Sequence, residues 1–138
     1  MSPQRSLFPS GLTRRLFDRL AESVESVSGS TPAQLLQAAD THLERVQAAQ
    51  QRNPLVNYRL AEALYNTMRT VIDDWSQIAN VAHPWLLGAM HYFAGDNDEE
   101  PDFTSPIGFE DDAEVLNACL RFAGREDLCL NTEDYDDV

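Results

Sequence analysis

The residues of this chain that can do chemistry crowd into one stretch. From Asp96 to Leu116 the sequence reads DNDEEPDFTSPIGFEDDAEVL, nine carboxylates in twenty-one residues. Three uses follow from the residue types. A hard cation such as Mg²⁺ or Ca²⁺ needs several oxygen ligands. Asp98, Asp102, Asp111 and Asp112 supply them if the loop folds back over the following helix start. The calcium-loop pattern itself fails. Asp96, Asp98, Glu100 and Asp102 fall at alternate positions, but Pro101 stands where glycine makes the sharp turn and Ile107 where the bidentate glutamate belongs. The second use is docking. Asp98, Glu99, Glu100, Asp102, Glu110, Asp111 and Asp112 form a like-charged surface that steers and selects a basic protein partner. The third is structural. An aspartate capping a helix start contributes about 1 kcal/mol. Further carboxylates in the first turn add about 0.3–1 kcal/mol each against the helix dipole. Asp111 and Asp112, with Glu114, suit that role, and Asp102 after Pro101 can brace its own turn.

Other chemistry is sparse. His91 lies just before the acidic stretch and is expected as a supporting neighbour of its carboxylates, which would favour its charged form. His42 falls on the apolar side of a helix as a boundary residue, and His83 precedes a proline at a helix junction. Cys119 reads as core. No nearby basic group is expected to activate either it or Cys129. The sequence contains no CxxC, HExxH, GxSxG or glycine-rich phosphate loop. No catalytic residue is assigned.

The elements that must position these residues are helical throughout, for apolar residues recur at three and four and never alternate. The first helix is expected from about Ser10 to Val27, with Leu12, Leu16, Leu20, Val24 and Val27 inward and Phe17 widening the stripe. Thr31-Pro32 with Gln34 is a capping box followed by an N-terminal proline, opening a second helix to about Gln51. Its inward residues are Leu35, Leu36, Ala39, Leu43 and Val46. An unbroken stripe of Leu60, Leu64, Met68, Val71, Trp75, Ile78 and Ala82 predicts one long third helix from Leu55 to Ala82, roughly 40 Å. His83-Pro84 ends it. A short helix from Pro84 to Ala94 is apolar nearly all round and so is expected to be buried. A fifth spans about Asp111 to Ala123. The expectation is an all-α, five-helix bundle-like domain over residues 1–130. The first three helices form an antiparallel bundle, and the acidic loop lies between helices four and five. Residues 131–138 are expected to be a disordered acidic tail.

Tyr92-Phe93, Asp98, Pro101-Asp102-Phe103, Pro106, Ile107-Gly108-Phe109, Asp111-Asp112-Ala113 and Val115-Leu116 together resemble the YkvA-like family of small bacterial helical domains. The likeness covers about residues 84–122. It implies a helical fold and brings no established activity. Just before Pro101 the family has an apolar run where this chain has Asn97-Asp98-Glu99-Glu100.

Charge narrows the function classes. The formal net charge is −13. Residues 1–95 hold eight acids and eight arginines, whereas residues 96–138 hold fifteen acids and two arginines. The imbalance is therefore confined to the last third. It argues against nucleic acid and against an anionic membrane surface, both of which select basic faces. The most apolar stretch, from Pro84 to Gly95, is far shorter than the ~20 residues that span a bilayer. Two cysteines are too few for a disulfide framework. The expectation is a soluble, cytoplasmic, non-enzymatic module that engages a basic partner. A divalent-metal protein or metal-dependent enzyme, and a structural protein whose acids only cap and solubilise, are the alternatives.

Overall fold

A computed structural model describes residues 8–94 and 109–135. Among these residues the chain is helical, without strands. The α-helices are α1 (Arg14–Ser26), α2 (Pro32–Arg52), α3 (Tyr58–Asp73), α4 (His83–Ala94) and α5 (Glu110–Phe122). The acidic loop between α4 and α5 lies outside the described residues.

Local chemistry sets most helix starts. Thr13 caps α1 by accepting from the Leu16 amide. The Thr31 hydroxyl accepts from the Gln34 amide while the Gln34 side chain accepts from the Thr31 amide, completing the expected capping box of α2. α3 starts later than its apolar stripe suggested. Asn57, itself buried, accepts from the Leu60 amide and caps it, leaving Leu55 exposed. α5 stops in a two-bond Schellman turn, Arg125 N–H to the Leu120 carbonyl and Gly124 N–H to the Arg121 carbonyl. That turn needs the left-handed φ of +77° that Gly124 supplies.

Two expectations about packing are corrected. The antiparallel bundle of the first three helices is replaced by an arrangement in which α4 is central. α1, α2 and α5 all pack on α4, and α3 packs mainly on α2. The cause is visible in α4 itself: Leu86, Gly88, Ala89, Met90 and Phe93 are buried on several sides, so no single neighbour can cover it. Gly88 permits the closest approach, for a Cβ there would stand 2.5 Å from Val24 Cγ2 of α1.

The long third helix is also corrected. It ends at Asp73, and 3-10 turns at Trp75–Gln77 and Asn80–Ala82 lead into α4. The stripe still faces inward, with Ile78 and Ala82 buried, because the turns fold it back over the core. Tertiary contacts override helix propensity at the break. The Asp74 carboxylate accepts from Arg125 Nη1 at 2.9 Å. The His83 ring stacks on Trp75 at 4.0 Å, with Nε2 donating to the Trp75 carbonyl at 3.1 Å.

Residues after Gly124 form a strap over α3 and α5, with 3-10 turns at Glu126–Leu128 and Thr132–Tyr135. The expected disordered tail is thus ordered as far as Tyr135, and residues 136–138 lie outside the described residues. The acids of this segment hid its attachment, which uses its main chain. Asn117 Nδ2 donates to the Leu130 carbonyl and Asn117 Oδ1 accepts from the Leu130 amide, both at 2.8 Å. Asn57 Nδ2 donates to the Tyr135 carbonyl at 2.8 Å. Leu128, Cys129, Leu130 and Tyr135 are half-buried against the core.

Candidate functional site

The carboxylates proposed from sequence divide between described and undescribed residues. Asp98, Glu99, Glu100 and Asp102 lie outside the described residues. Glu110, Asp111 and Asp112 occupy the first turn of α5. None is the N-cap. That position belongs to Phe109, which offers no side-chain cap, so the capping expectation for Asp111 and Asp112 is corrected. Packing rather than capping sets the helix start. Phe109 is buried against Phe93 of α4, ring centroids 6.0 Å apart, and against His42 of α2 at 6.4 Å. The acids that follow still face the positive end of the helix dipole.

The first turn of α5 meets α1 and α4. Asp111 Oδ2 accepts from Arg15 Nη2 of α1 at 3.4 Å, an exposed pair of small energetic weight. Asp112 is only 6% exposed, which makes it the buried carboxylate of the described residues. Tyr92 of α4 feels both acids. Burial, then Asp112, then Asp111 push its hydroxyl up to about 12, and Arg19 and Arg15 oppose the shift. Tyr92 therefore stays protonated and can donate a hydrogen bond, whereas the acids accept. The junction is a charge-balanced cluster of two arginines, two aspartates and a phenol drawn from three helices.

His91, expected beside these acids, lines a cleft with Leu35, Thr41 and Arg45 of α2. Its neighbour Tyr92 takes the position facing Asp111 and Asp112. On a helix, consecutive side chains diverge by about 100°, so closeness in chain order misassigned the contact. His42 is not a boundary residue. It is 2% exposed, with its ring edge-on to Phe93 at 5.0 Å. The inward stripe of α2 is Leu35, Ala39, His42, Val46 and Ala49, and Leu36 and Leu43 flank it half-buried. Among the described residues, no group of three or more His, Cys, Asp or Glu side chains is arranged to hold a metal ion.

The thiols have no nucleophilic setting. Burial pushes Cys119 well above the ordinary thiol range, and its Sγ–H points to the Trp85 carbonyl at 3.5 Å. Burial also raises Cys129, and Arg121, the basic neighbour not expected for either thiol, only partly opposes both shifts.

Sequence reasoning missed Asn57, Asn117 and Arg125. Arg125 lies between Asp74 at 2.9 Å and Asp127 at 3.1 Å, which hold its guanidinium firmly protonated. In return Arg125 keeps Asp127 below the usual carboxylate range. The only local sign of this arrangement was the Gly124-Arg125 helix terminus.

Along α5 and the strap, Glu114, Glu126, Asp127, Glu133 and Asp134 are all exposed. No protein-family model matches the chain, and it matches neither a curated protein nor a solved structure. Among the described residues no helix is long and apolar enough to cross a membrane.

Proposed function

We propose that this protein is a non-enzymatic interaction module whose acidic C-terminal third, residues 96–138, engages a basic protein partner. The observation that carries this reading is the disposition of charge over α5 and the strap. Glu114 of α5 and Glu126, Asp127, Glu133 and Asp134 of the strap are all exposed. Their nearest cation in sequence, Arg125, is committed to Asp74 and Asp127, and Arg15 offsets Asp111. Arg125 offsets Asp127 and the exposed Arg121 adds one positive charge, but Glu114, Glu126, Glu133 and Asp134 leave these segments net negative, which speeds encounter with a cationic surface. We read the whole chain as a five-helix bundle-like cytoplasmic domain with the acidic loop between helices four and five. The likeness of residues 84–122 to YkvA-like domains belongs to the same reading.

The test is affinity capture from the native cell, followed by titration of the purified captured protein. The variant to compare replaces Glu114, Glu126, Asp127, Glu133 and Asp134 by their amides. A second variant neutralises five acids of residues 1–95. The expected partner is basic, binds more weakly in high salt, and loses affinity for the first variant alone. An acidic partner, or equal binding to both variants, refutes the reading.

One observation favours a second reading, a divalent-cation site including Asp98, Asp102, Asp111 and Asp112. Asp112 is buried, and buried carboxylates are paired, hydrogen-bonded or metal-bound. Saturable stabilisation by Mg²⁺ or Ca²⁺ would support it.

A further inference from the structure

The strap is held in an unusual way for an acidic segment, by bonds that reach its main chain. Asn117 reads both the amide and the carbonyl of Leu130, as a neighbouring strand would. Asn57 reads the carbonyl of Tyr135, and Arg59 Nη2 approaches the carbonyl of Asp134 at 3.5 Å. A charged side-chain link to the body joins Arg125 to Asp74, 51 residues apart in sequence. The apolar residues that seat the strap, Leu128, Cys129, Leu130 and Tyr135, are all half-buried rather than buried. Such a segment sits at the low end of local stability. It leaves α5 at Gly124, whose left-handed φ makes the reversal.

We propose that the groove over α3 and α5 is a peptide-binding groove filled here by the chain's own residues 125–135, and that a second copy of the chain can supply that segment in exchange. The occupant is argued from the contacts themselves. Every bond described to Leu130, Asp134 and Tyr135, and the Arg125–Asp74 pair, can form between two copies as it forms within one. Exchange then costs no native contact beyond rearrangement at Gly124, which is the condition for low-cost domain swapping. High protein concentration favours the exchanged dimer and dilution the closed monomer.

The Arg125–Asp74 pair provides a test on the full chain. In Asp74→Arg two arginines face each other within one molecule, and in Arg125→Asp the introduced carboxylate faces both Asp74 and Asp127. Neither variant can form the pair alone. In a swapped heterodimer of the two, one groove pairs Arg at 74 with Asp at 125 and the other pairs the native residues, so both repulsions at position 74 vanish, while the one between the introduced carboxylate and Asp127 stays within its own strap. Native mass spectrometry and light scattering of an equimolar mixture are expected to find a one-to-one dimer of twice 15.5 kDa. It should exceed either variant's own dimer by roughly tenfold, as expected for coupled neighbours. Asp74→Arg with Arg125→Asp in one chain should restore the monomer, confirming that the reversed pair is tolerated. A mixture with no more dimer than the separate variants, at concentrations where the doubly reversed chain is folded, overturns the proposal. So does a heterodimer that forms equally when Asn117→Ala is present in both copies, since the strap would then not be its link.

Discussion

Replacing Gly88 by alanine should loosen the contact between α1 and α4. Alanine favours a helix interior over glycine by about 1 kcal/mol, so an exposed site would gain stability. At this site the new Cβ would lie 2.5 Å from Val24 Cγ2, with the Val24 backbone N and Cα at 3.2 and 3.3 Å. The backbone atoms need yield only slightly. Cγ2 must move much further, and a β-branched side chain in a helix has essentially one χ1 well to occupy. Overpacking of this kind costs about 1–3 kcal/mol. Because α4 is also packed by α2 and α5, it cannot retreat, and the upper half of that range applies. Subtracting the propensity gain leaves a net loss of roughly 1–2 kcal/mol. Val24→Ala alone removes two methyl groups from a half-buried position, about 1–2 kcal/mol. The two losses should not add. In the double variant the methyl introduced at position 88 takes space vacated by Cγ2, so the cycle should show a coupling of about 1 kcal/mol. Urea unfolding of the four proteins measures this, with unchanged m-values licensing the comparison. Gly88→Ala that stabilises, or a double variant equal to the sum of its parts within ~0.3 kcal/mol, would refute the close approach of these helices.

Other outcomes follow from single contacts. Asn117→Ala removes both bonds to Leu130 and should cost about 2–4 kcal/mol by urea unfolding, since each net bond contributes about 1 kcal/mol and partly buried groups are left unpaired. Removing residues 131–138 leaves the buried Asn57 amide without the Tyr135 carbonyl, so the melting midpoint should fall by a few degrees; an unchanged midpoint would mean that the strap beyond Leu130 contributes nothing. Ultraviolet titration should find one tyrosine ionising near 12, absent in Tyr92→Phe. Since that folded value lies above the ordinary 10.0, the stability Tyr92 contributes should be full below about pH 10 and lost as pH rises towards 12. Titrating Mg²⁺ and then Ca²⁺ into the parent and into Asp112→Asn separates the two functional readings: the docking reading expects no saturable rise in midpoint, and a rise lost in the variant would establish the cation site.

The sequence by itself determined the features whose causes lie within a few residues of one another. Thr31 and Gln34 meet across three positions, so their capping box was readable from spacing alone. The all-round apolarity of residues 84–94 required burial, and Cys119 fell on a core face. The opposite holds where the partner is remote. α3 ends at its C-cap Asp74, which pairs with Arg125, 51 positions on, and no periodicity announces that pairing. Asn57 and Asn117 hold main-chain atoms 78 and 13 residues away, and a main-chain partner leaves no mark in the side-chain code. His42 faces the core because Phe93 and Phe109 arrive there from α4 and α5, turning α2 away from the face that its leucines proposed. Local patterns fix which way a helix prefers to start and how apolar each side is. Which helix becomes the centre, and which side chains then meet, depends on covering all of α4 at once, and that is decided only by the assembled packing.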